Sequence, residues 1–187
     1  PDSAIKLCKA GLQYAQSDQQ QKIRVITYNT LGNIFLDWFI YDSAAFYYLE
    51  TLRLAENLSY TNAISASLIN LGQTYLSVRE YEKARHYFLK SIEYSRKIDH
   101  TYFMALAYTN LGSIEHSDSN YIKSLDYFER AIELQKLTGN KVGLYNLYHN
   151  IGHVYRDKRE IVTSLNYYEK ALNGFYELGD TNGILNT

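Results

Sequence analysis

Apolar residues recur at steps of three and four along nearly the whole chain, which is the spacing of one face of an amphipathic helix. Leu68, Leu71 and Tyr75 follow this spacing, and Ala84 and Phe88 continue it in the next segment. The only proline is the first residue, so no proline interrupts a helix further along. The pattern predicts helix pairs over residues 22–38 and 41–58, 61–78 and 81–98, 101–117 and 121–138, and 141–157 and 161–178.

Four glycines, Gly32, Gly72, Gly112 and Gly152, follow one another at a constant interval, each after a Leu or Ile. A fixed interval with side chains in register around it is typical of a stacked repeat array. We therefore predict a single array over residues 1–187. It contains a lone second helix over 2–17, units over 22–58, 61–98, 101–138 and 141–178, and the start of a further helix over 181–187. Both ends interrupt the repeat, which indicates a piece of a longer protein.

The residues around each glycine resemble the tetratricopeptide repeat, a helix–turn–helix unit. Its first helix carries an aromatic residue, then Leu-Gly, then another aromatic residue. Here these positions read Tyr28-Leu31-Gly32-Phe35, Leu68-Leu71-Gly72-Tyr75 and Tyr148-Ile151-Gly152-Tyr155. Its second helix alternates small and aromatic residues, here Ala44-Tyr48-Thr51, Ala84-Phe88-Ser91, Ser124-Phe128-Ala131 and Ser164-Tyr168-Ala171. The resemblance covers essentially the whole chain and implies an all-α right-handed superhelix (α-solenoid) of antiparallel helix pairs, with about four and a half units.

The repeat length departs from the common form of this family, which has about 34 residues and a proline at the end of the second helix. This chain has Glu56, Arg96, Lys136 and Tyr176 at those positions, so its helices can run longer. It is similar to the 40-residue variety found in Pins-type scaffolds, bacterial Rap-type peptide receptors and repeat-containing bacterial regulators. A composition rich in Asn, Tyr, Ile and Lys favours a bacterial source.

In this family the first helices line the concave face, so the resemblance implies where a ligand groove would lie. Most groove positions carry uncharged hydrogen-bonding residues. The candidate binding residues are Asn29, Asn33, Asn70, Gln73, Asn110, His116, His149, Asn150, His153 and Arg156. The apolar Ile69 also falls at a groove position. Asn70, Asn110 and Asn150 form a ladder with one amide per repeat. Because an amide can donate to and accept from a peptide backbone, we expect an extended peptide or partner segment to bind here. Alternatively, these amides bridge adjacent repeats.

Three residues of the fourth repeat, His149, His153 and Asp157, follow one another at steps of four and so share one face of a helix. His116, from the preceding first helix, is expected to face them. Two histidines and a carboxylate can bind a transition metal, but such a pair of histidines arises readily by chance. Hydrogen bonding to a ligand, or tuning of its affinity near neutral pH, is the favoured role. No metal and no cofactor are expected.

The turn of the first unit carries Trp38, Phe39 and Ile40, followed by Tyr41, where the other units have mostly polar residues. Exposed apolar clusters commonly mark contacts, so this apolar edge is predicted to dock a partner, a second copy or another part of the chain. The alternative is local burial against Tyr47 and the N-terminal helix. If the edge rather than the groove carries the function, the protein is a structural or oligomerisation module.

Glu115 stands where the other units have Phe35, Tyr75 and Tyr155. A carboxylate at this position is expected to loosen the third unit, unless it turns its head group to solvent. Gly139 and Gly179 each follow a predicted helix and are expected to adopt a left-handed conformation.

Composition excludes several functions. The net charge is −1 with both signs interspersed, which does not fit a nucleic-acid surface, and no apolar run is long enough to insert in a membrane. No phosphate-binding loop or catalytic set is found, so we expect no enzyme. The single Cys8 excludes an internal disulfide. The sequence thus predicts a cytoplasmic peptide- or protein-binding module, the sensory or adaptor part of a larger regulatory protein.

Overall fold

The computed structural model describes residues 18–187 together with Lys6, Cys8 and Ala10. Within these residues every regular element is a helix, and no strand occurs. The helices are α1 Asp18–Asp37, α2 Tyr41–Asn57, α3 Thr61–Ser77, α4 Tyr81–Lys97, α5 Thr101–Ser117, α6 Tyr121–Leu137, α7 Lys141–Asp157, α8 Ile161–Leu178 and α9 Thr181–Asn186. The predicted all-α class of antiparallel helix pairs is confirmed. Apart from Lys6, Cys8 and Ala10, the helix expected over 2–17 lies outside the described residues.

The helix ends follow the sequence closely, with one exception. Helices α2 to α8 begin at the predicted residues and end within one residue of the predicted ends. Helix α1 already runs from Asp18, the first residue of the continuous described range, four residues before the predicted start at residue 22. Gln19, Gln20 and Gln21 therefore belong to the helix. Glutamine is a good helix former but carries no apolar signal, so periodicity alone did not mark this turn.

The helices are joined by short turns that recur at a constant interval, two in each repeat. In each turn one residue adopts a left-handed backbone, with φ between 50° and 67°. These residues are Phe39, Ser59, Arg79, Asp99, Ser119, Gly139, Arg159 and Gly179. In the first turn the Phe39 N–H donates to the Leu36 carbonyl at 2.9 Å, and the Ile40 N–H donates to the Phe35 carbonyl at 2.8 Å. These bonds satisfy the carbonyls at the helix end. The left-handed conformation predicted for both glycines is confirmed.

The four repeat glycines are required by the close crossing of each helix pair. A Cβ atom on Gly32 or Gly72 would lie 2.5 Å from the ring of Tyr48 or Phe88, which are fully buried. Gly112 and Gly152 meet Phe128 and Tyr168 in the same way, at 2.5 and 2.7 Å. Glycine at this position therefore lets an aromatic side chain of the second helix pack directly against the backbone of the first.

A second aromatic layer is present in three of the four repeats. Rings stack in parallel between Phe35 and Tyr47 at 5.3 Å, and between Tyr75 and Tyr87 at 5.5 Å. Tyr155 and Tyr167 do the same in the fourth repeat, with centroids 5.5 Å apart. These contacts join the end of each first helix to its second helix.

Glu115 replaces that stack in the third repeat with a buried ion pair. Its side chain is only 1% exposed, so the alternative of a solvated head group is wrong. Asn120 Nδ2 donates to one carboxylate oxygen at 3.0 Å and Lys123 Nζ donates to the other at 2.9 Å. The carboxylate is held because the polar turn after α5 provides Asn120 as a partner. Whether the third repeat is softer than its neighbours stays a prediction.

The chain divides into two compact units, Pro1–Ile98 and Asp99–Thr187. In the first unit α1 pairs with α2 and α3 pairs with α4, and α2 also packs on α3. In the second unit α5 pairs with α6 and α7 with α8, while α6 packs on α7 and α9 closes on α8. Each unit therefore contains two complete helix pairs.

Candidate ligand-binding surface

Within each unit the two first helices lie side by side, because α1 contacts α3 and α5 contacts α7. The predicted groove residues of each unit are carried on these helices and are mostly half-buried. Two of them, Asn33 and Arg156, are exposed. Ile69 is only 3% exposed and belongs to the core, so its assignment to the groove is wrong.

The ladder amides do not share one environment. In the first unit Asn70 Nδ2 donates to Asn29 Oδ1 at 3.1 Å, a bond between neighbouring repeats. In the second unit Asn110 Nδ2 donates to the carbonyl of Leu106, one turn back in its own helix, at 2.8 Å. Asn70 thus makes the inter-repeat bond that was the alternative to ligand binding, while its Oδ1 atom remains an acceptor.

Tyrosine hydroxyls fix the orientation of two groove residues. Tyr48 is fully buried, and its hydroxyl donates to Asn33 Oδ1 at 2.7 Å. The Tyr168 hydroxyl is hydrogen-bonded to His153 Nδ1 at 3.1 Å. Burial raises the pKa of Tyr48, and the nearby carboxylate of Asp37 raises it further. Both tyrosines occupy the aromatic position next to a repeat glycine. Each therefore connects the packed interior of its helix pair to a predicted groove residue through its hydroxyl.

Histidine and carboxylate side chains cluster in the second unit. His116 Nε2 lies 2.9 Å from Asp157 Oδ2, and Arg156 Nε donates to Asp157 Oδ1 at 3.0 Å. The Nε2 atoms of His149 and His153 lie 3.2 Å apart. The Arg156 hydrogen bond is the main cause that lowers the pKa of Asp157. Burial and then His149 lower the pKa of His153, which favours its neutral form.

The three-ligand set suggested by His149, His153 and Asp157 does not assemble. Asp157 is bonded to His116 and Arg156 instead of turning toward the histidine pair. Among the described residues, no group of three or more His, Cys, Asp or Glu side chains is arranged to hold a metal ion.

The apolar edge around Trp38 is exposed as a surface. Trp38 is 37% exposed, Phe39 75% and Ile40 44%, and Tyr41 is half-buried. Trp38 packs edge-on against Phe35 at 6.0 Å, and Phe39 packs edge-on against Tyr41 at 6.3 Å. A cavity of about 300 Å³ adjoins this edge in the first unit. Its lining includes Tyr41, Phe46, Leu49, Tyr75 and Val78.

Sequence reasoning missed two features. One is the pair of tyrosine hydroxyls, signalled by Tyr48 and Tyr168 where the other two repeats have phenylalanine. The other is an open depression of about 770 Å³ in the second unit. Its lining includes Asn120, Ile122, Lys123 and Lys158. No periodic signal marks it, because it lies at helix ends rather than along a helix face.

Repeated antiparallel helix pairs, each closed by a glycine–aromatic crossing, define a helix-pair repeat protein of the solenoid class. Sequence models described as tetratricopeptide repeat match residues 65–98 and 103–177. The chain belongs to the tetratricopeptide repeat family, as its motifs indicated.

Several solved structures share this fold at low sequence identity. BtubC (BKLC) from P. vanneervenii is 20% identical with a TM-score of 0.83, and the match covers 96% of this chain and 74% of that one. A Rap protein complexed with Competence and Sporulation Factor is 16% identical, with a TM-score of 0.81 and coverage of 92% and 48%. The quorum sensor NprR from B. thuringiensis, in its apo form, is 23% identical, with a TM-score of 0.70 and coverage of 93% and 49%. The chain therefore spans about half the length of the Rap protein and of NprR.

Among curated proteins, no sequence matches this chain significantly. In the part of the chain that the structure describes, no helix has the length and apolar character needed to cross a membrane.

Proposed function

We propose that this chain is a peptide- or protein-binding module whose ligand lies along the first helices of the repeats. The observation that carries this is the set of amides and imidazoles on α1, α3, α5 and α7, positions that an ordinary solvated helix face fills with Lys and Glu. Such side chains can pair with both the N–H and C=O groups of an extended backbone. The ligand class is an extended peptide or partner segment with limited sequence preference.

Two similar folds support this proposal. The Rap protein was solved with Competence and Sporulation Factor bound, and NprR is described as a quorum sensor. Both are longer than the part this chain matches. We therefore propose that the module is the sensory or adaptor part of a larger regulatory protein, without catalysis of its own.

The test is binding to a panel of labelled, extended peptides of varied sequence, measured by fluorescence anisotropy. A triple variant, Asn70→Ala, Asn110→Ala and Asn150→Ala, removes the ladder. Loss of three hydrogen bonds at about 1 kcal/mol each should weaken binding by about 100-fold.

A matched control removes three amides from the second helices, with Asn57→Ala, Asn166→Ala and Asn173→Ala, all of which are exposed. Both variants must keep the helical circular dichroism of the parent chain. Equal affinity of the ladder variant and the control would contradict a ligand held by the ladder.

A second function, self-association through the apolar edge of Trp38, Phe39 and Ile40, is supported by one specific observation. Phe39 adopts a left-handed backbone at φ 59° while its ring is 75% exposed. Every turn of the array has one residue in this conformation, but in the other turns it is Ser, Arg, Asp or Gly. A large exposed aromatic residue at a position that is otherwise polar or glycine favours a contact.

Sedimentation velocity tests the edge. If two copies associate there, Trp38→Ser with Phe39→Arg should convert a dimer into a monomer without loss of helicity. Ile122→Ser is the control, because Ile122 is 87% exposed but lies away from this edge in sequence, on α6. A monomer at all concentrations in the unaltered chain would exclude self-association through this edge.

A further inference from the structure

The two histidines of α7 meet in a way that peptide binding does not require. His149 and His153 lie one helical turn apart, and their Nε2 atoms approach to 3.2 Å. Their rings are almost perpendicular, with an angle of 84° between planes and centroids 4.4 Å apart. Both side chains are half-buried.

The separation of these nitrogen atoms fits a shared metal ion. Zinc binds histidine nitrogen at about 2.0–2.1 Å in a tetrahedral arrangement. Two ligands at that distance and angle lie about 3.3 Å apart, by simple geometry from the same bond lengths. The two histidines are hydrogen-bonded to each other at 3.2 Å, which is already close to the separation of a chelate. A bound ion would replace the shared proton of this hydrogen bond.

Tyr168 holds one of the rings in place. Its hydroxyl is hydrogen-bonded to His153 Nδ1 at 3.1 Å, and its ring lies under Gly152 in the helix crossing. If Nδ1–H donates to the hydroxyl oxygen, the lone pair of His153 is at Nε2, facing His149. Metal-binding histidines are commonly oriented by such a bond from their other nitrogen.

We propose that His149 and His153 form a two-histidine chelating site for a divalent transition-metal ion of the Zn²⁺ or Ni²⁺ class. Since no third His, Cys, Asp or Glu among the described residues joins them, the other coordination positions are left to water or to a group supplied by a ligand. Catalytic zinc sites, unlike structural ones, keep such an open coordination position. This inference stands independently of the proposed peptide function.

Isothermal titration of the full chain with ZnCl₂, and separately with NiCl₂, tests the site at neutral pH. We expect saturable binding of about one ion per chain, as a two-histidine chelate requires. The single variants His149→Ala and His153→Ala should each abolish it. His86→Ala is the matched control, because His86 is an exposed histidine on α4 and should leave binding unchanged.

Tyr168→Phe gives a second test that does not remove a ligand. Phenylalanine fills the same position in two other repeats, as Phe88 and Phe128, so packing should be preserved. Loss of the hydroxyl should weaken metal binding by about 10-fold, the lower end of the effect of such orienting groups. Absence of saturable binding, or binding that survives in both histidine variants, would overturn the proposal.

Discussion

Tyr48 links the core of the first helix pair to a groove residue, and its ionisation is a direct probe of that link. Burial, and next the charge of Asp37, raise its pKa. An unfolded tyrosine ionises near pH 10, so the folded protein keeps the Tyr48 proton to higher pH. The stability this group contributes is present below pH 10 and is lost as pH rises above it.

We therefore predict that alkaline spectrophotometric titration shows a tyrosine that ionises only as the protein unfolds. Tyr48→Phe should reduce this late component, to which Tyr87 and Tyr167 also contribute because burial raises their pKa values. It should cost about 1 kcal/mol at neutral pH, the value of its hydrogen bond to Asn33. If the variant and the unaltered chain give identical titration curves above pH 10, the assignment to Tyr48 fails.

Two substitutions of Glu115 are predicted to change the stability of the chain in opposite directions. Glu115→Ala leaves a cavity in the third repeat and removes the acceptor of the Asn120 and Lys123 hydrogen bonds, so it should destabilise the chain by about 2 kcal/mol. Glu115→Tyr restores the residue type that stacks on the second helix in the other repeats, and it releases Lys123, whose side chain is 55% exposed. It should be neutral or stabilising by about 1 kcal/mol.

Chemical denaturation by urea, followed by circular dichroism, measures both changes. Tyr155→Ala provides the reference cost of losing the normal stack with Tyr167. A Glu115→Tyr variant less stable than Glu115→Ala would show that the third repeat is built around its carboxylate and cannot accept the ring.

Some side-chain contacts could be predicted from the sequence and others could not. The glycine–aromatic pairs were predictable because both members recur once in every repeat, at the same constant interval. The burial of Glu115 was not, because its partners Asn120 and Lys123 lie in and just after a polar turn with no periodic signal. The His149–His153 spacing was visible in the sequence, whereas their 3.2 Å contact depends on rotamers set by Tyr168.

At the scale of the elements, each first helix crosses its second helix closely because a glycine there has no side chain. Gly72→Ala should destabilise the chain by about 1–3 kcal/mol, the cost of overpacking, because the new Cβ would lie 2.5 Å from the Phe88 ring. This reverses the ordinary stabilisation of about 1 kcal/mol when alanine replaces glycine in a helix. Thermal unfolding measures the change.

A paired variant separates overpacking from any other effect of the alanine. Gly72→Ala combined with Phe88→Leu makes room at the crossing, so the two changes should cost less together than the sum of their separate costs. Purely additive costs would show that the Phe88 ring is not what the alanine meets.

The turn residue Phe39 provides a test of local strain. Its left-handed backbone costs about 1–2 kcal/mol for a residue with a Cβ atom, and its ring is 75% exposed. Phe39→Gly should therefore stabilise the isolated chain by about 1 kcal/mol. Phe39→Ala is the control, since it removes the ring but keeps the strain. A Phe39→Gly variant no more stable than Phe39→Ala would indicate that the turn is unstrained.

For the whole molecule, the division into two compact units makes a prediction about independent folding. Residues 99–187 contain two complete helix pairs and the short α9. Because repeat arrays are stabilised by contacts within and between neighbouring repeats, a polypeptide of these residues should unfold cooperatively by itself. Its helical circular dichroism should show one sigmoidal thermal transition. A gradual, non-cooperative loss of signal would mean that the second unit needs the first.

The constant spacing of the left-handed turns restricts how the length of this chain can change in evolution. One residue inserted into a helix rotates every later side chain by about 100°, which would turn a repeat glycine such as Gly72 away from its aromatic partner. One residue inserted into a turn would break the hydrogen bonds from the turn N–H groups to the carbonyls at the helix end. Related chains are therefore expected to differ in length by whole repeats, gained or lost by duplication, while substitutions accumulate freely on the exposed helix faces.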